Sequence, residues 1–143
     1  MAGVLDPRDL TDLFARFSIE TQRTCPESAV VKAEVSLGFA LPSDLRALLR
    51  RSNGLLDKAG QWYFVWPLER IVANNLALRD QTVSGFPVDL VAFGDSGTGD
   101  PFCIAMSREE RVCRWSPIDS QVQMLADDLE SFIVGWLTGR ITT

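Results

Sequence analysis

The chain has 143 residues and a mass of 15.9 kDa, which is the size of one ordinary domain. Its 46% apolar and 23% charged residues are typical of a globular protein and exclude a disordered chain. The 14 basic and 19 acidic residues give a net charge of −5, so the averaged field repels nucleic acid and anionic membranes. We therefore expect a single domain over residues 1–143, with no nucleic-acid or membrane partner. A basic partner would instead be attracted.

The content of histidine and cysteine excludes several kinds of site. The chain has no histidine, and its three cysteines are Cys25, Cys103 and Cys113. An odd number of cysteines without C-x-x-C spacing argues against a disulfide framework and a zinc site. The N-terminal residues have no apolar run of signal-peptide length, and no window approaches 18 consecutive apolar residues. These features predict a cytoplasmic protein with reduced cysteines.

Apolar residues at helical spacing predict two helices in the first 40 residues. A short amphipathic helix opens at residue 6 or 7 and lies on the core by one face. Thr24, Pro26 and Glu27 then match a capping box, in which the Thr hydroxyl and the Glu carboxylate satisfy backbone amides at a helix start. We expect the second helix over about residues 25–37, with Gly38 ending it.

A third helix is predicted to begin at Pro42 and to be closed by Asn53 and Gly54, which accept the left-handed backbone conformation. The run WYFVW at residues 62–66 has strand character and is apolar on both faces. Such a strand is either central or has one face reserved for a partner. Pro67 then begins a fourth helix, whose predicted apolar stripe is Leu68, Ile71, Val72, Leu76 and Leu78.

Residues 86–104 predict a hairpin of two buried strands joined by a turn rich in Gly and Asp. Residues 112–115 form a third strand, and the short connections predict an antiparallel meander. Whether Cys103 and Cys113 share a face depends on the parity of the intervening turn, which the sequence leaves open. A final helix is predicted from Ala126, with Gly139 after it.

The turn of this hairpin, GDSGTGD, contains the GDSG found around the nucleophile of trypsin-like serine proteases. That serine needs a neutral imidazole to take its proton, so the absence of histidine excludes this chemistry. No Walker lysine follows the glycines, and Asp95 and Asp100 would repel a phosphate. An alternative is a divalent-cation site formed with Ser96 and Thr98. We interpret the segment as a tight turn, in which Gly supplies positive φ and Asp binds backbone amides.

The sequence contains no constellation that predicts catalysis, so we expect no catalytic residue, no metal and no cofactor. Paired acids could in principle support hydrolysis, but nothing in the sequence brings such a pair into one pocket. The tryptophans are either core residues or part of an aromatic interaction patch. The candidate partner-binding residues are Trp62, Tyr63, Trp66, Asp95, Asp100 and Trp115. The candidate fold-defining turn residues are Asn53, Gly54, Gly94, Gly97 and Gly99.

The order of several short motifs resembles a known family. The motifs are E-x-x-L-G-F-x-L-P-x-D-L-R-x-L-L at residues 34–49, S-N-G at 52–54, W-P-L-E-R-I at 66–71, and the GDSGTGD turn before a final helix. This arrangement resembles the SUKH superfamily, and within it the bacterial relatives of the fungal Smi and Knr cell-wall assembly regulators. The resemblance covers about residues 30–137. Residues 1–25 correspond to the variable N-terminal part of the family.

The resemblance implies an α+β domain with a twisted, mainly antiparallel sheet, helices on one side and around its ends, and no established enzymatic activity. Bacterial members are commonly immunity proteins that bind and neutralise polymorphic toxins, often nucleases. The expected function is therefore a non-enzymatic protein-binding domain whose partner is a basic toxin domain encoded nearby. The alternative is an intracellular regulatory or scaffold module, as in the fungal members. The matching motif positions define the fold, so the resemblance implies no toxin-contact residue.

Overall fold

The computed structural model describes residues 7–19, 21–57, 62–80, 85–97 and 99–142. Its helices are α1 (Pro7–Arg16), α2 (Glu27–Leu37), α3 (Ser43–Leu49), α4 (Leu68–Leu78) and α5 (Leu129–Leu137). Its strands are β1 (Leu55–Leu56), β2 (Tyr63–Val65), β3 (Leu90–Asp95), β4 (Pro101–Ala105), β5 (Arg111–Ser116) and β6 (Gln121–Ala126), with a 3-10 turn at Met106–Arg108. The predicted α+β class and antiparallel sheet are confirmed.

Four of the strands form one antiparallel sheet in the order β3-β4-β5-β6. Cys103 lies directly opposite Cys113, so these two side chains share a face of the sheet. β1 and β2 form a separate antiparallel pair, and β1 was not predicted. β2 also approaches the large sheet, since the N–H of Trp66 donates to the carbonyl of Phe93 at 2.7 Å. β2 therefore extends the sheet beyond β3 at one point.

The prediction that the final helix begins at Ala126 was wrong. Residues 121–126, QVQMLA, form β6, in which Val122 lies opposite Trp115 and Met124 opposite Cys113. α5 begins three residues later, and its N-cap Asp128 accepts a hydrogen bond from the N–H of Ser131 at 2.7 Å. The apolar residues of this segment fit the alternation of a strand as well as helical spacing, and pairing with β5 makes the segment a strand.

The capping box predicted for α2 is absent. Pro26 occupies the N-cap without a side-chain hydrogen bond, and Cys25 donates its N–H to the carbonyl of Leu49. The Glu27 carboxylate instead pairs with Arg46 and Arg50, which tie α3 to α2. The predicted end of α2 is confirmed: Gly38 has φ +83° and donates its N–H to the carbonyl of Glu34.

Asn53 and Gly54 do not close α3, which ends at Leu49 with Arg50 in a right-handed conformation at the C-cap. The side-chain oxygen of Asn53 accepts from the N–H of Leu68 at 2.7 Å, so Asn53 caps α4. Gly54 has φ +95°, and a Cβ there would lie 2.9 Å from the nitrogen of Pro67. This segment therefore joins the start of α4 to β1.

α4 covers the outer edge of β3 with polar side chains. Asn75 is fully buried, and its Nδ2 donates to the carbonyls of Ala92 and Ile71 at 2.7 Å each. The N–H of Ala92 donates to the Asn75 Oδ1 at 2.9 Å. One side chain thus replaces a neighbouring strand. The predicted stripe was wrong at Leu76, which is 46% exposed, because Asn75 takes the inward position.

Arg79 extends this cover towards the start of β3. Its guanidinium donates to the carbonyls of Val88 and Leu90 at 3.0 and 2.5 Å. It lies over the rings of Phe39 and Phe86, with its carbon 4.6 and 5.7 Å from their centroids. Burial lowers the pKa of Arg79 from its ordinary value, while its hydrogen bonds and aromatic neighbours compensate the buried charge.

The core consists of apolar layers on the two faces of the sheet. α5 covers one face with an aromatic cluster in which Phe102 meets Phe132 and Trp136 edge to face at 4.7 and 5.3 Å. On the other face Trp115 meets Phe86 edge to face at 5.1 Å. α1 adds Leu10, Leu13 and Phe14, the buried residues of its predicted apolar face. No helix in the described ranges is long and apolar enough to cross a membrane.

The Asn75 side chain yields a test of the β3 edge. Asn75→Leu keeps a similar volume but leaves the N–H and carbonyl of Ala92 buried without partners, so we expect a loss of about 3 kcal/mol in the free energy of unfolding. Urea denaturation measures this loss. Asn74→Leu, the same change on the half-exposed neighbour, should change stability by less than about 0.5 kcal/mol. Equal effects of the two changes would contradict this role for Asn75.

The buried cysteines predict a loss of stability at alkaline pH. Burial raises the pKa of Cys113 from 9.0 to about 11, and burial together with Cys113 raises the pKa of Cys103 well above 9.0. Because the folded-state pKa values exceed the unfolded ones, the stabilisation is complete below pH 9 and is lost as pH rises towards 11. Urea midpoints across this range should fall less steeply in the double variant Cys103→Ala with Cys113→Ala. An unchanged slope would assign the loss to other groups.

Candidate partner-binding surface

The turn between β3 and β4 is held against β2 at a point where only glycine fits. A Cβ built on Gly94 would lie 1.9 Å from the carbonyl oxygen of Phe64. Gly97 and Gly99 have φ of +91° and +97°, a region that favours glycine. The glycines therefore serve two needs, close approach of the backbone at the base of the turn and reversal of the chain at its tip.

Asp95 ties the turn to β2. One oxygen of its carboxylate accepts from the N–H of Gly97 at 2.7 Å, and the other accepts from the indole nitrogen of Trp66 at 3.2 Å. This geometry agrees with an Asp that binds a backbone amide in a tight turn. For Asp100 the described ranges show no such bond, and Thr98 of the same turn lies outside them, so this role of Asp100 stays a prediction. Asp100 is half-buried at the far end of the turn.

The described residues also bear on the alternative of a cation site in this turn. Within them, no group of three or more Asp, Glu, Cys or His side chains is placed to hold a metal ion. Both oxygens of Asp95 are already engaged by protein donors. Thr98, one of the four residues considered for that site, lies outside the described residues. Asp95 therefore acts as a hydrogen-bond acceptor for the protein in this structure.

Of the two half-exposed aromatic residues Trp62 and Tyr63, Trp62 contacts the turn. Trp62 packs beneath it, since a Cβ on Gly97 would lie 3.5 Å from the indole ring. Trp62 also lines a shallow cleft of about 340 Å³ together with Ser96 and Trp136. Tyr63 follows in β2 and is half-exposed. The structure therefore brings Trp62 to the turn that holds Asp95, whereas a Cβ on Gly54 would lie 3.0 Å from the Tyr63 ring, which places Tyr63 beside Gly54.

The other two candidate tryptophans are buried. Trp66 packs in the core with its ring beneath the guanidinium of Arg70, 5.6 Å from the ring centroid. Trp115 is on β5, where Phe86 covers its ring. Neither ring presents a surface to a partner in this conformation. A contact role for the accessible candidates, Trp62, Tyr63, Asp95 and Asp100, stays a prediction.

A larger groove, which the sequence reasoning missed, lies between β6 and α5. Its volume is about 610 Å³. The lining residues include Met124, Asp127, Glu130 and Arg140. Because β6 was predicted as the start of a helix, this surface was not considered. The alternation of Val122 and Met124 with two glutamines is the sequence signal that could have indicated it.

Acidic side chains gather where this groove meets α1. Burial raises the pKa of Glu130, and the neighbouring carboxylates of Asp9 and Asp128 raise it further. Asp127 is in the same segment, with its side chain 90% exposed and 3.9 Å from Arg111. An exposed pair at this distance contributes little to stability, so the charge of Asp127 faces solvent. The end of β6 therefore carries charges of both signs, Asp127 and Glu130 beside Arg111 and Arg140.

The two kinds of glycine in the turn predict different stability losses. Gly94→Ala forces the backbone of β3 and β2 apart, and we expect a loss above about 3 kcal/mol or a failure to fold. Gly99→Ala only strains a positive φ, since no atom lies within 4 Å of the new Cβ, and should lose about 1 kcal/mol. Thermal denaturation by circular dichroism checks this order. Similar losses would show that close approach at Gly94 relaxes easily.

Comparison with known families agrees with the fold and with the order of the motifs. No protein with a curated description is similar enough to the chain to be matched. The sequence pattern of the SMI1 / KNR4 family (SUKH-1) matches residues 24–135, which include every element from α2 to β6 and most of α5. A match of this extent covers more than half of the chain, and the protein therefore belongs to the SMI1 / KNR4 family (SUKH-1).

Proposed function

We propose that this protein is a bacterial immunity protein that binds and neutralises a toxin domain through protein–protein contact, without catalysis. The observation that carries the proposal is the family match over residues 24–135, because bacterial members of the SUKH superfamily are commonly immunity proteins. The toxin is a basic domain, such as a nuclease, encoded beside the gene for this chain. The protein acts in the cytoplasm, where it occludes the toxin.

The distribution of charge supports a basic partner. The net charge is −5, and Asp9, Asp128 and Glu130 are close enough for two of these carboxylates to raise the pKa of the third. Mutual repulsion of this kind is relieved when a Lys or Arg of a partner approaches. Such complementarity accelerates association with a basic protein and disfavours acidic ones.

The arrangement of polar groups supports binding over catalysis. Asp95, the acid of the protease-like turn, is occupied by Trp66 and Gly97 as a structural acceptor. The chain has no histidine to act as a general base near neutral pH. The only strongly raised pKa values among the described residues belong to buried thiols, which are inert as nucleophiles in that state.

A regulatory or scaffold module is the second candidate, because the family is named after SMI1 and KNR4. Such a module would bind a cell-wall or signalling enzyme of its own cell. Pull-down from that cell separates the two: recovery of such an enzyme with no toxin in the neighbouring gene favours the regulatory role.

Co-expression with the toxin domain of the neighbouring gene tests the proposal. Cells that produce the toxin alone should lose viability, and cells that also produce this protein should grow. The purified pair should form a 1:1 complex by size-exclusion chromatography with light scattering, with a Kd near or below about 10 nM, the range of tight protein pairs. Absence of both protection and complex formation would contradict the function.

A further inference from the structure

The two outer edges of the main sheet are treated differently. The edge of β3 is covered, since Asn75 binds both backbone groups of Ala92 and Arg79 binds the carbonyls of Val88 and Leu90. On the outer side of β6 we find no such cover in the described ranges. Apart from its pairing with β5, the bond that its backbone makes within the described residues is that from the N–H of Gln121 to Asp119 at 3.2 Å. Among the residues that the structure describes, β6 is therefore an open edge.

Over residues 121–124, β6 also lacks the features that protect exposed edge strands. Its six residues, QVQMLA, include no proline and no charge. Val122 is 41% and Met124 is 37% exposed, so apolar surface lies along the edge. Natural edge strands are usually interrupted by Lys, Pro or a bulge that prevents unwanted pairing. A bulge is present in β6 at Leu125, at the far end from Gln121, and it leaves residues 121–124 in regular register.

The charges at the two ends of β6 indicate what covers it. Asp119 precedes the strand, and Asp127 follows it with its side chain 90% exposed. A two-fold dimer through this edge would place two antiparallel β6 strands together, which brings Asp119 of one copy towards Asp127 of the other, twice. Arg111 lies 3.9 Å from Asp127, but an exposed pair of this kind is weak, so the two Asp–Asp approaches still disfavour a second copy. A strand with Lys or Arg at both ends meets complementary charges instead.

We propose that the open edge of β6 binds an extended segment of a cationic protein partner as a fifth strand of the sheet, with basic residues of that segment facing Asp119 and Asp127. Backbone hydrogen bonds supply the affinity, as in other cases of strand addition, and the charged ends supply selectivity. This inference rests on the proposed function, because it names the surface by which the toxin is held. Val122 and Met124 contact alternate side chains of the added strand.

A model peptide tests the edge directly. The probe is a strand of about six alternating Thr and Val residues with two Lys at each end, and the matched control has Glu in place of Lys. Two-dimensional NMR of the full chain should show shifts confined to β6 and its neighbours, and amide exchange of β6 should slow by at least about tenfold on saturation. The Glu-flanked peptide should bind at least about tenfold more weakly.

Matched variants separate the edge from general charge effects. Val122→Lys places a charge on the edge and should weaken binding of the Lys-flanked peptide at least about tenfold, whereas Val35→Lys on α2, where Val35 is 77% exposed, should leave it unchanged. Asp127→Lys should weaken binding, and Glu69→Lys, with the same change in net charge, should not. Shifts located elsewhere than β6, or equal effects of Val122→Lys and Val35→Lys, would overturn the proposal.

Sedimentation and the co-expression assay distinguish the remaining outcomes. A wild-type dimer that Val122→Lys converts to a monomer would show that a second copy covers the edge and would overturn the proposal. Protection from the toxin that survives Val122→Lys would overturn this inference while the immunity function stands. Slowed exchange of β6 with the peptide, without protection by the wild type, would support the edge and contradict the immunity function.

Discussion

The structure depends on one buried amide that replaces a strand. The outer edge of β3 runs beneath α4, where water cannot satisfy its backbone groups, and Asn75 supplies both a donor and an acceptor to Ala92. Because the same amide also donates to Ile71 in its own helix, the contact fixes the position of α4 on the sheet. Arg79 continues this cover, and the N–H of Trp66 adds one bond to Phe93. The pairing of helix and sheet is thus set by polar contacts as well as by packing.

The covered edge of β3 contrasts with the edge of β6, over which the described residues place no such cover. Within the described residues, the sheet ends on one side in side-chain hydrogen bonds and on the other in an uncharged strand without such bonds, so its two edges differ in their capacity to bind another strand. The acids that flank β6 belong to a turn and to the start of α5, where Asp128 is needed as a helix cap. Structural and electrostatic roles therefore coincide at this end of the molecule. The half-exposed Trp62 lies at the GDSGTGD turn, a second accessible region.

Much of the fold could be predicted from the sequence, and the failures have a common cause. The apolar stripes of α1 and α5 and the buried hairpin of β3 and β4 follow local periodicity, which one segment carries by itself. β6 was missed because QVQMLA fits a strand only when β5 is beside it. Asn53 was assigned to the end of α3 because Asn suits that position, whereas its acceptor caps a helix 15 residues later. Each failure concerns a residue whose partner is distant in sequence.

The sequence by itself determined the class of the protein and the chemistry it excludes. The absence of histidine excluded a serine-protease site at GDSGTGD, and the order of the motifs indicated the family to which the chain belongs. Only the tertiary structure decided that Trp115 is covered by Phe86, that Cys103 faces Cys113, and that no described residue covers the edge of β6. Composition and periodicity depend on each residue and its near neighbours. Burial and edge pairing depend on which segments meet, and that is settled only when the whole chain folds.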